Sequence, residues 1–146
     1  MYTARLSELL YPLVSEFADS IGVGTADSAW VSLSTYHRAW LVVNVGDMGQ
    51  ASTLDVSIRQ ATDNAGTGAA AIVGKAITQL TQAGGDGNDL VCIELQTEEL
   101  NVDGGYEFVG VRTVVAGAAV ELGWTLYGCS ARFKPVPTTN WTEIVG

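Results

Sequence analysis

The sequence predicts a mainly β domain: an antiparallel β-sandwich or jelly-roll-like body with a short N-terminal helix or arm. Three observations carry this. From Ser28 onward the apolar residues recur with a period of two, the signature of half-buried strands. At least six such runs are separated by Gly-rich stretches, as expected of strands joined by turns. Finally, 47% of the 146 residues are hydrophobic, so the chain can build one real core and is not intrinsically disordered.

The first segment, residues 1–24, differs from the rest. Leu6, Leu9, Leu10, Leu13, Val14 and Phe17 fall at the spacings of a helical stripe, and Thr3 offers an N-cap. Pro12 lacks a donor and clashes with the preceding turn. The expectation is a kinked helix, or an arm followed by a short helix beginning at Pro12. Gly22-Val23-Gly24 then reads as a hinge into the body, residues 25–134.

Within the body, Ala29, Val31 and Leu33 alternate with Trp30, Ser32 and Ser34, and a turn near His37 leads into the apolar strand Ala39 to Val45. Thr53 to Ala61 alternates most cleanly, with Leu54, Val56 and Ile58 inward and Asp55, Ser57 and Arg59 outward. Ile72 to Leu80 is compatible with an edge strand, and Leu90 to Thr97, Tyr106 to Val115 and Glu121 to Phe133 complete the set. The last segment, residues 135–146, carries Pro135 and Pro137, which favour an extended path, and Trp141, Ile144 and Val145 as apolar anchors. It reads either as a strap across its own domain or as an arm laid on a neighbouring subunit.

Charge and composition exclude several function classes. Seven Lys+Arg against sixteen Asp+Glu leave a net charge of −9, which repels phosphate backbones and argues against nucleic acid as a partner. No apolar run is long enough to span a membrane, and the acidic residues Glu8, Glu16 and Asp19 argue against a signal peptide. Two cysteines are too few for a disulfide scaffold or a zinc cage; Cys92 and Cys129 fall inside strands and read as buried reduced thiols. A single histidine, His37, leaves little room for histidine-based catalysis.

The motifs that could carry chemistry are weak. Gly84 to Val91 matches a calcium-binding nonapeptide, with Asp86 and Asp89 as the weak metal candidates, but one copy supplies only half a site and the stretch reads as a hairpin turn. The stretch Gly66 to Lys75 lacks the spacing and the hydroxyl of a phosphate loop. Glu94, Glu98, Glu99 and Asp103 are the densest carboxylate group. A glycosidase would need two carboxylates facing each other across a cleft. Glu94 and Glu98 share one strand face if the strand continues that far, with Glu99 opposite, so a solvated strand end is the better reading and a cation site between subunits the next. Trp30, Trp40, Trp124 and Trp141 could stack on sugars only if exposed and coplanar. The expectation is a non-enzymatic protein with no catalytic residues and no cofactor.

The surplus of apolar surface is the distinguishing feature. Both faces of Tyr106 to Val115 are apolar, and Ala39 to Val45 behaves alike, which calls for a second layer from the N-terminal segment or from another chain. That points to an assembly subunit, a homo-oligomer with a trimer favoured. Leu6, Leu10, Leu13, Phe17, Trp141 and Ile144 are its interface candidates.

Four short runs add a resemblance. Tyr36-His37-Arg38-Ala39 leads into an apolar strand, and Leu54 to Thr62 follows; then come Ile93 to Leu100 with Gly104-Gly105-Tyr106, and Tyr127 to Val136. Together, over most of residues 28–145, they resemble small proteins encoded beside the head genes of tailed bacteriophages and prophages. The resemblance implies a virion structural component, a capsid decoration (cement) protein on the outside of the head. Its partner would be the major capsid protein, and it would be made in the host bacterial cytoplasm. A neck, tail or head-fibre component and a carbohydrate-binding module are the alternatives.

Overall fold

The computed structural model describes residues 5–134 and 136–145, so the expected cap at Thr3 and the proline at 135 lie outside the described residues. A 3₁₀ turn, Leu6–Glu8, is followed by ten strands: β1 (Leu10–Ile21), β2 (Gly24–Asp27), β3 (Val31–Ser32), β4 (Tyr36–Met48), β5 (Thr53–Ala61), β6 (Ala70–Ala76), β7 (Leu80–Thr81), β8 (Leu90–Gln96), β9 (Phe108–Ala116) and β10 (Val120–Ala131). They form two antiparallel sheets, one ordered β1-β10-β4-β8 and the other β2-β9-β5-β6, with β3 and β7 extending the second sheet beside β9 and β5. The chain changes sheet between β1 and β2, β3 and β4, β4 and β5, β7 and β8, β8 and β9, and β9 and β10. The two four-strand paths β1-β10-β4-β8 and β2-β9-β5-β6, connected in this order, are the double Greek key of a jelly roll.

Alternation fills the space between the sheets. Leu41, Val43 and Val45 of β4 face Leu54, Val56 and Ile58 of β5, joined by Ile93, Leu95, Val109, Val111, Val115, Leu122, Trp124 and Leu126, all buried. The cleanest sequence pattern, Thr53 to Ala61, is β5 with the expected residues inward. Ile72 to Leu80 is divided between the edge strands β6 and β7.

Of the expected N-terminal helix or arm, the described residues show no α-helix. Only Leu6–Glu8 turns, and Leu10–Ile21 pairs along β10 as an edge strand. Two irregularities, between Pro12 and Val14 and between Glu16 and Asp19, explain the misleading stripe. An extra residue at a bulge shifts the inward phase, so Tyr11 and Val14, three apart, both face inward. Val14 packs on the main core, Tyr11 in a smaller cluster with Tyr36 and Val136, and Leu13 touches both. Three-residue spacing is also what a helix produces. Pro12 fits because β1 is an edge: its ring occupies the side of the strand that has no ladder to join. Gly22 and Val23 therefore form the tight crossover from β1 to β2 instead of a swinging hinge.

The apolar second faces also need correction. On β9 the outward positions are Phe108, Gly110, Arg112 and Val114, and the layer over them comes from the chain itself. Trp30 lies so close to Gly110 that a Cβ there would meet its ring at 2.9 Å. Beside it, Arg112 clasps Asp27 of β2 through two hydrogen bonds of 2.6 Å. Among the described residues no helix covers this side; Trp30 and Asp27 do so in part, and Phe108 and Val114 stay half-buried.

Candidate functional site

The outer face of the β1-β10-β4-β8 sheet carries the concave surface. Antiparallel register sets its rows. Pro12, Tyr127, Trp40 and Glu94 lie side by side, and Leu10, Cys129, Arg38 and Gln96 form the next row. Tyr127 sits between two tryptophans, its ring 5.9 Å from Trp40 and 6.4 Å from Trp141.

The C-terminal segment reaches this face by running along β1. Val136 is buried with Tyr11 and Tyr36, whose rings stack at 6.5 Å. The hydroxyls of Tyr11 and Thr139 share a hydrogen bond of 3.0 Å, and the Asn140 side chain donates to the Pro12 carbonyl at 2.9 Å. That bond satisfies a carbonyl on the open edge of the sheet. Of the two expectations for this tail, the strap on its own domain is the one observed. Trp141 has a cost in this position: its indole N–H is buried without an acceptor among the described residues.

The six interface candidates divide. Leu6, Leu10, Trp141 and Ile144 converge, with Trp40, Tyr127 and Val145, on an apolar groove of about 430 Å³. Leu6 is 67% exposed and Val145 88% exposed, so the rim is unfinished. Leu13 instead packs into the core seam, and Phe17 stands 84% exposed farther along β1. The first and last described segments thus build one surface, which no local pattern could reveal.

Next to this groove, with Trp40 as the shared wall, lies a polar cleft of about 440 Å³. Arg38, Glu94 and Gln96 rise from adjacent strands, and Lys75 and Glu99 close the far side. The Lys75 ammonium lies 2.8 Å from the Glu99 carboxylate and donates to the Glu94 carbonyl at 2.9 Å, tying β6 of one sheet to edge strand β8 of the other. The Gln96 backbone N–H donates to Glu99 at 2.8 Å. That bond first, and Lys75 second, hold the Glu99 carboxyl below its ordinary pKa. Cys129 also lines this cleft; burial, then the nearby Glu94, push its thiol pKa up to about 11, so it is protonated near neutrality.

The remaining sequence candidates have ordinary positions. Asp86 accepts from the Thr81 backbone N–H at 2.8 Å inside a turn that holds Gly85 and Asn88 at positive φ. The Asp89 carbonyl accepts from Val45, and among the described residues no three His, Cys, Asp or Glu side chains converge as a metal would require. Strand β8 ends at Gln96, so residues 97–99 turn and bring Glu99, not Glu98, to the cleft beside Glu94. Cys92 is exposed, contrary to the expectation of two buried thiols, because its outward face on β8 is bare; both thiols are free. Trp124 is core and Trp30 covers the opposite sheet, while Trp40 and Trp141 share a face without being coplanar with the Tyr127 between them. Among the described residues no helix is long and apolar enough to cross a membrane. The chain matches no family model, no curated protein and no solved structure.

Proposed function

We propose that this chain is a non-enzymatic structural component of a tailed-bacteriophage virion, a capsid decoration protein bound as a homo-oligomer to the outside of the major capsid lattice. The observation that supports this reading is the apolar groove assembled by Leu6, Leu10, Trp141 and Ile144 on the outer sheet face, with a rim left open to a partner. Burying one exposed Leu, Val or Phe side chain is worth about 1.5–3 kcal/mol. A few such side chains give a weak single contact, and repetition over a closed lattice turns it into firm attachment through avidity. Cohesion between neighbouring capsid subunits would follow from the same shared burial.

The test is co-sedimentation of purified protein with heads lacking it. The parent protein should pellet with the heads, and Leu10→Asp and Ile144→Asp should remain in the supernatant with unchanged circular dichroism. Folded variants that still bind like the parent would remove the groove from the contact. If the parent protein failed to bind heads but decorated necks, tails or fibres, the virion position would move and the capsid partner would be lost.

A further inference from the structure

We propose that the polar cleft beside Trp40 binds a neutral saccharide. A pyranose ring presents a face of C–H groups and a rim of hydroxyls, each both donor and acceptor, and the cleft offers the complement of both. The Trp40 ring forms an apolar wall, and Arg38, Glu94 and Gln96 stand around it. Register makes this arrangement reliable: Trp40 is opposite Glu94 and Arg38 opposite Gln96, placing each pair of side chains about 5 Å apart at their roots on one sheet face.

The groups that would meet the ligand are unspent. Among the described residues neither the Arg38 guanidinium nor the Glu94 carboxylate makes an ion pair, whereas Lys75 and Glu99 are consumed by each other. Two cations and two carboxylates balance, so the cleft has no net charge to select an ion, in a molecule whose overall charge of −9 opposes anions. The Lys75 clasp fixes β8 through the Glu94 carbonyl, so the cleft is preformed. Its volume of about 440 Å³ lies within the range of small-molecule sites. Ser130, an exposed residue lining the cleft, has φ 53°, a left-handed conformation uncommon for a non-glycine residue. This proposal is independent of the assembly role, and its test uses the isolated protein.

The experiment follows the indole N–H resonances of the four tryptophans by NMR during titration with D-glucose, D-galactose, N-acetyl-D-glucosamine and their linear trimers. At least one of these should shift the Trp40 resonance, assigned by its loss in Trp40→Phe, in a saturable way, while Trp124 and Trp30 stay still. Arg38→Met and Glu94→Gln, both on exposed side chains, should weaken that binding by about tenfold or more, the cost of an unmatched polar group. No saturable shift with any of these sugars would overturn the proposal. So would shifts that persist undiminished in both variants, or a stronger response to inorganic phosphate than to the sugars.

Discussion

At the scale of single residues, two groups of atoms govern local stability. Gly128 lies under Tyr36, and a Cβ there would come within 2.8 Å of the ring. Gly128→Ala should displace Tyr36 from Tyr11 and loosen the packing of Val136, lowering stability by about 1–3 kcal/mol in a urea titration. The second group is ionic. Hydrogen bonds from Arg112 hold the Asp27 carboxyl below its ordinary pKa, and the Gln96 N–H with Lys75 does the same for Glu99. A carboxyl whose folded pKa is depressed adds stability that is complete above the unfolded pKa and is lost as pH falls through the folded one. The urea midpoint should therefore hold down to about pH 5 and decline below about pH 4. In the double variant Asp27→Asn, Glu99→Gln that decline should be shallower; an equally steep one would mean other carboxylates dominate.

At the scale of elements, legibility depended on whether a strand kept its phase. Leu54, Val56 and Ile58 alternate without interruption, and β5 was readable outright. β1 was not, because the irregularity between Pro12 and Val14 breaks the period of two, so that Tyr11, Leu13 and Val14 all pack inward. The polar cleft was hidden for another reason: Arg38 and Trp40 meet Glu94 and Gln96 only through the β4–β8 register, a long-range fact with no local signature. Glu99 joined them because β8 ends early in a 3₁₀ turn. The apolar anchors of the tail were legible, but their destination was not. Since Trp141 packs on Tyr127 in its own domain while its N–H goes unpartnered, Trp141→Ala should cost only about 1–2 kcal/mol, below the toll of a fully buried tryptophan. Thermal unfolding checks this; complete loss of fold would make the strap part of the core.

At the scale of the whole molecule, the jelly roll places the first and last strands side by side, β1 on β10, and so brings both terminal segments to one face. On the opposite sheet Trp30 and the Asp27–Arg112 clasp cover β9, and the proposed association uses the β1-β10-β4-β8 face. A net charge of −9 works against copies meeting, so self-association should strengthen as salt screens that repulsion. Light scattering at rising ionic strength should move toward the mass of a trimer; a monomer at every salt concentration would leave attachment to the lattice as the only assembly contact. The most direct measurement of the central claim is a cryo-electron microscopy map of decorated heads at side-chain resolution. The account predicts this fold on the head exterior, with Leu6, Leu10, Trp141 and Ile144 turned onto capsid protein or an adjacent copy. Heads without it, or a bound domain whose β1-β10-β4-β8 face looks outward into solvent, would contradict the account.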